Sequence, residues 1–194
     1  LLYWADGSLQ DGFLGAGVAA LEHVDGEMRY TTSQHELGFD TGYIQDAELF
    51  AIVAALGLAK RTFESKSGIQ VVRVYSDALA VLESLERHEC TILGPLIAAK
   101  TALEALYQRT EWLDSKGVVV ELVWVKGHNK SKGNKIADRC ANEAVRLQKI
   151  AETNSQGLPV REGRTRLLTQ TDVPVVIEQL GQEWSAEWLC RANR

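Results

Sequence analysis

The stretch IQVVRVYSDALAVLESLER (Ile69–Arg87) changes its period half-way along. Ile69 to Asp77 is a β-branched run of strand length, as expected where a strand is buried on both faces; ALAVLESLER then repeats apolar residues at helical spacing. A strand passing straight into a helix is the unit of a sheet with helices packed on it. GVVVELVWVKG (Gly117–Gly127) reads as a second buried strand, with a helix before it over Leu93–Lys116 and one after it over Asn134–Lys149.

Upstream the pattern is different. Leu1–Asp6 and Gly15–His23 are apolar runs separated by GSLQDG, whose glycines and aspartate mark a turn, so a hairpin is expected. MRYTTSQHELG alternates weakly and adds a third strand. From Gln45 onward Ala47, Leu49, Phe50, Val53, Ala54, Leu56 and Leu58 recur at helical spacing, with Asp46 as cap or first-turn residue. Antiparallel strands followed by alternating helix and strand imply an α/β fold with a mixed sheet.

With 194 residues, 45% of them hydrophobic and 24% charged, the chain suits one domain with an appendage and has enough apolar residues for a core. No stretch approaches the roughly 18 to 20 unbroken apolar residues of a membrane span. Cys90, Cys140 and Cys190 lack the spacing of a zinc site or a disulfide framework, so an intracellular, reducing setting is expected, nucleus or cytoplasm. The chain starts without Met, so residues upstream are expected. A net charge of −5 argues against broad, sequence-blind nucleic-acid binding and leaves room for a local basic patch.

Residues 1–150 form the expected folded unit and 151–170, polar and Gly-containing, a linker. Over 171–194, Ile177, Leu180, Trp184 and Trp188 fall at spacings of three and four, an amphipathic C-terminal helix. Its tryptophan face has two readings: docking onto the domain's own core, or engaging a groove or protein partner through Trp184 and Trp188.

Four acids occupy informative places. Asp6 is expected to end the first strand, Glu48 to lie in the first turn of the first helix, Asp77 to end a buried strand and Asp138 to lie near a helix start. If the strands of Asp6 and Asp77 are neighbours, all four can meet at one end of the sheet. Clustered carboxylates repel, and divalent cations relieve the repulsion. An all-oxygen ligand set favours Mg²⁺ or Mn²⁺ over zinc, and two such ions suit hydrolysis of a phosphodiester.

These pieces resemble the type 1 ribonuclease H family: ADGS with Asp6, GAGVA, QDAELFAIVAAL with Glu48, VYSDALAVL with Asp77, and WVKGHNKSKGNKIADRCA with His128 and Asp138. Order and spacing match over roughly residues 2–149. The resemblance implies a ribonuclease H-like five-stranded mixed sheet of strand order 3-2-1-4-5 flanked by helices. It also implies endonucleolytic cleavage of the RNA strand of RNA–DNA hybrids, leaving 3′-hydroxyl and 5′-phosphate ends. Asp6, Glu48, Asp77 and Asp138 carry over as ligands of two Mg²⁺ ions, with Mn²⁺ as substitute, and His128 as a mobile group assisting proton transfer or product departure. Lys126, Lys130, Lys132 and Lys135 would offset phosphate charge, and Asn134 would orient the loop or touch the backbone. Gln45, beside Glu48, would help read the 2′-hydroxyl that marks RNA.

The chain departs from the family's usual pattern at three places. Ala78 stands where a small hydroxyl residue is common, Gln45 and Asp46 replace commoner amides, and ERHECTILGP lacks a lysine- and tryptophan-rich protrusion. These departures motivate an alternative: a catalytically weak fold serving as a nucleic-acid-binding or protein-interaction module, attached to an upstream domain or retroelement polyprotein, or standing alone.

Overall fold

The computed structural model describes residues 1–24, 26–87, 96–127 and 131–156. His128, Lys130, residues 157–170 of the expected linker, and the expected tail helix with Trp184 and Trp188 lie outside the described residues, whereas residues 151–156, expected as linker, are helical. Three strands come first: β1 (Leu2–Gln10), β2 (Phe13–Val24) and β3 (Glu27–Phe39). Helix α1 (Ile44–Ser65), strand β4 (Val71–Ser76), α2 (Leu79–Glu86), α3 (Leu96–Ser115), β5 (Val119–Trp124) and α4 (Lys132–Gln156) follow.

The sheet has the order β3-β2-β1-β4-β5. β1, β2 and β3 pair antiparallel, while β4 lies parallel to β1 and β5 parallel to β4. This is the five-stranded mixed sheet of order 3-2-1-4-5 expected from the resemblance.

The hairpin turn sits later than its signal suggested. β1 runs through Gly7 to Gln10, and the chain reverses at Asp11 and Gly12, both at positive φ (50° and 82°) as a two-residue hairpin turn requires. Asp6 therefore lies within β1, paired with Gly17, rather than at its end. Glu48 is the fifth residue of α1, one turn further in than expected, and Asp138 is the seventh of α4. α4 also continues past Lys149 to Gln156, through helix-favouring Ala151 and Glu152.

Two helices set the burial pattern. α1 crosses the sheet between the strands and α3, so its residues from Leu49 to Leu56 are all buried, and a helix covered on both sides can be apolar all round. α4 packs across β1, β2 and β3 on the opposite face. Among the described residues no element covers the corresponding face of β4 and β5, which corrects the expectation of strands buried on both sides: Arg73 is exposed and Val119 is 56% exposed.

The approach of α4 to β2 depends on absent side chains. A Cβ at Gly15 would lie 2.5 Å from the Ala141 carbonyl oxygen, and one at Gly17 would meet the Ala137 carbonyl and lie 2.5 Å from the Ala141 amide. GAGVA thus lets helix backbone rest on strand backbone directly beneath Asp138. At the helix start, Gly133 lies against the Trp4 ring, which stacks on Tyr75 at 5.2 Å.

Candidate active site

Parallel pairing fixes where the first and third acids meet. Trp4 of β1 registers with Tyr75 of β4, so two residues further on Asp6 and Asp77 stand at the same level of neighbouring strands. Glu48 arrives from α1, which can come close because residue 7 is a glycine: a Cβ there would lie 2.6 Å from the Glu48 backbone nitrogen. The Gly7 N–H donates to Glu48 Oε2 at 3.0 Å.

One carboxylate oxygen each of Asp6, Glu48 and Asp77 lie within 4.8 Å of one another. Asp6 is 7% exposed. Its carboxyl is pushed up to about 8 by burial first and then by Asp77 and Asp138, with the Gly7 N–H opposing. Glu48 is raised well above the usual carboxyl range by burial, then by Asp6 and Asp77, again against the Gly7 N–H, with Asp138 last. Asp138 is outside the group of three but close enough for its charge to act on both.

An all-oxygen donor set in which Asp6 and Glu48 are raised by burial and by the neighbouring acids is a good match for a hard divalent cation, whose charge reverses the repulsion. Asp6, Glu48 and Asp77, with Asp138 at the margin, have the right chemistry to hold one.

Several neighbours fix the carboxylates. Asn134, buried at 5% exposure, donates from Nδ2 to Asp77 Oδ2 at 3.1 Å, while its Oδ1 is buried without a hydrogen-bond partner. Its side chain is thus engaged with the third acid rather than with solvent. Trp124 Nε1 donates to the Asp77 carbonyl at 3.3 Å. Asp138 Oδ1 accepts from Asn142 Nδ2 at 2.9 Å, and Asn142 Oδ1 in turn accepts from Ser8 Oγ and Gln10 Nε2, both at 2.7 Å.

Sequence reasoning missed Asn142, Ser8 and Gln10. The available signal was periodicity: Ser8 is two residues beyond Asp6 on a strand and Asn142 four beyond Asp138 on a helix, so each shares a face with an acid.

The remaining expected residues lie around this centre. Gln45 is half-buried in the first turn of α1. Lys126, Lys132 and Lys135 are exposed, with Lys132 Nζ 5.4 Å from the Tyr30 ring centroid. Asp46, 2% exposed, accepts from the Tyr43 N–H at 2.6 Å through Oδ2 and so caps α1. Ala78 leaves a backbone N–H that Ser76 Oγ accepts at 3.1 Å.

No protein of curated function matches the chain in sequence. Among solved structures, RNase H1 from the halophilic archaeon Halobacterium salinarum is 18% identical, with a TM-score of 0.55 over 75% of this chain and 97% of its own. LC11-RNase H1 in complex with RNA/DNA hybrid is 14% identical, with a TM-score of 0.52 over 74% of this chain and 97% of its own. The prototype foamy virus protease-reverse transcriptase is 18% identical, with a TM-score of 0.54 over 74% of this chain and 20% of its own. These are likenesses of fold. Three of the four acids converge, the RNase H family model matches residues 1–146, and the chain belongs to the ribonuclease H family.

Proposed function

We propose that the chain is a metal-dependent endonuclease that hydrolyses the RNA strand of RNA–DNA hybrids, leaving 3′-hydroxyl and 5′-phosphate ends. The observation that carries this reading is the convergence of Asp6, Glu48 and Asp77 within 4.8 Å at the meeting of β1, β4 and α1. Asp6, Glu48, Asp77 and Asp138 would hold two Mg²⁺ ions, or Mn²⁺ in their place. Bound there, the ions would activate a water and stabilise the leaving oxygen.

The chain's own groups have separable tasks. Gly7 and Asn134 orient Glu48 and Asp77 through the hydrogen bonds above, so the ligands are set before substrate arrives. Lys126, Lys132 and Lys135 are exposed on the segments flanking the loop after β5 and would offset backbone phosphate charge, with Lys130 between them. Glu48 and Gln45 would read the 2′-hydroxyl, and His128 would move a proton or help product leave. The inward turn of Asp46 keeps its carboxylate occupied with the helix end, which weakens one motive for a purely binding role.

The test is cleavage of an end-labelled hybrid with Mg²⁺ or Mn²⁺, beside duplex DNA, duplex RNA and single strands. Hybrid alone should be cut, and Asp77→Asn should lower the rate at least about a hundredfold. No cleavage, or equal cleavage by the variant, removes the claim.

A further inference from the structure

Two residues apart on β1, Asp6 and Ser8 face α4; four apart on α4, Asp138 and Asn142 face β1. The pairs make two rungs between strand and helix. One is carboxylate against carboxylate, where Asp138 raises the Asp6 carboxyl. The other is a hydrogen-bonded clamp, in which Ser8 Oγ and Gln10 Nε2 each donate to Asn142 Oδ1 at 2.7 Å and Asn142 Nδ2 donates to Asp138 Oδ1 at 2.9 Å.

The Asp138 carboxylate dictates how the Asn142 amide is turned, because it can only accept. With Oδ1 and Nδ2 exchanged, the amide oxygen would face that carboxylate, acceptor against acceptor. The NH₂ is therefore held toward Asp138, a charge-assisted bond on the carboxylate that stands outside the group of three. Among the described residues, Asp138 has no other side-chain donor at hydrogen-bond distance. Ser8 is 6% exposed, so water competes little for the anchoring end of the chain.

We propose that Asn142, locked by Ser8 and Gln10, is a positioning residue that presents Asp138 to the cation site. This rests on the reading of the four acids as cation ligands. A freed Asp138 has a choice of rotamers, and ordering one of them on binding lowers affinity; outer-shell partners of metal ligands are worth about 10- to 100-fold in affinity or activity. Because the clamp is made on β1 and α4 and uses no lysine of the loop, it tunes cation affinity rather than hybrid affinity.

The experiment titrates Mn²⁺ calorimetrically into the full-length chain, Asn142→Ala and Ser8→Ala, and measures hybrid cleavage against Mg²⁺ concentration. Asn142→Ala should bind Mn²⁺ about tenfold more weakly. The Mg²⁺ concentration for half-maximal rate should rise by a similar factor, kcat should recover at high Mg²⁺, and the hybrid KM should be unchanged. Ser8→Ala, which leaves the amide in place but unlocks it, should shift the same way by less, and it decides the matter if Asn142→Ala fails to fold. A folded variant with the parent's Mn²⁺ affinity and Mg²⁺ half-point, or one whose only change is in KM, overturns the proposal. A parent that binds Mn²⁺ without cutting hybrid removes the proposed function and leaves the affinity comparison to decide Asn142; a parent that binds no Mn²⁺ overturns both.

Discussion

Without divalent cations, Asp6 should cost the folded chain stability as pH rises, and Asp6→Asn should abolish that cost. Its carboxyl ordinarily titrates at 3.8 and in the fold at about 8, so between these values the folded state holds a proton that the unfolded state has lost. The unfolded chain then binds fewer protons, and stability falls with rising pH by about 1.4 kcal/mol per pH unit for each such proton. The contribution is whole below the ordinary value and spent as pH passes the raised one.

The useful window is from pH 6.5 to 8, because His35 acts with the opposite sign below it. Burial, then Arg61 and Arg109, lower that imidazole from 6.5 to about 4, so its share of the stability rises with pH and is complete above 6.5. With half of Asp6 ionised at the upper limit, Asp6 alone removes about 2 kcal/mol across the window. For a chain of this size that is about 4 to 8 °C in Tm. Glu48, raised by burial and then by Asp6 and Asp77, adds to the slope in the parent and relaxes in part when Asp6 is replaced by a neutral residue. The assay is a thermal melt in chelator at several pH values. Parent Tm should fall by that amount relative to Asp6→Asn, and Mg²⁺ should close the gap. Parallel Tm profiles for the two chains from pH 6.5 to 8 would refute the reasoning.

Three further outcomes follow from single contacts. Gly17→Ala puts a Cβ against the Ala137 carbonyl and the Ala141 amide, so α4 must shift; stability should fall by about 1–3 kcal/mol, read as a lowered Tm, and Mn²⁺ affinity should drop with it. Asn134→Ala removes the side-chain donor on Asp77 together with an acceptor that has no partner, so hybrid cleavage should fall about tenfold while denaturant melts show a loss of no more than about 1 kcal/mol. The double variant Lys126→Ala/Lys135→Ala should reduce the slope of log KM for hybrid against log salt by up to about 2, and an unchanged slope would take both lysines off the phosphate backbone.

How much of this was legible in the sequence depended on the range of the forces involved. Asp77 was found because a strand and a helix meet at it, and Glu48 because α1 is apolar on its inward face: both are local patterns. The first turn was misplaced because the same dipeptide, Asp-Gly, occurs at 6–7 and at 11–12. Locally the two are equivalent turn signals. What separates them is tertiary: Gly7 pairs with Ala16 inside the sheet and admits the backbone of Glu48, whereas Asp11 and Gly12 take the positive φ values of the reversal. One Asp-Gly thus serves close approach and the other serves backbone conformation, two different uses of the same missing side chain. The exposure of Arg73 and Val119 was hidden for a related reason, since nothing in VVRVYS says that α4 will lie over β1 to β3 instead. The clamp on Asp138 was least accessible, because Ser8 and Asn142 are 134 positions apart and each is unremarkable in its own segment. The residues that bear the charge of the site are therefore readable from motif and period, while those that aim the charge exist only where α4 lies against β1.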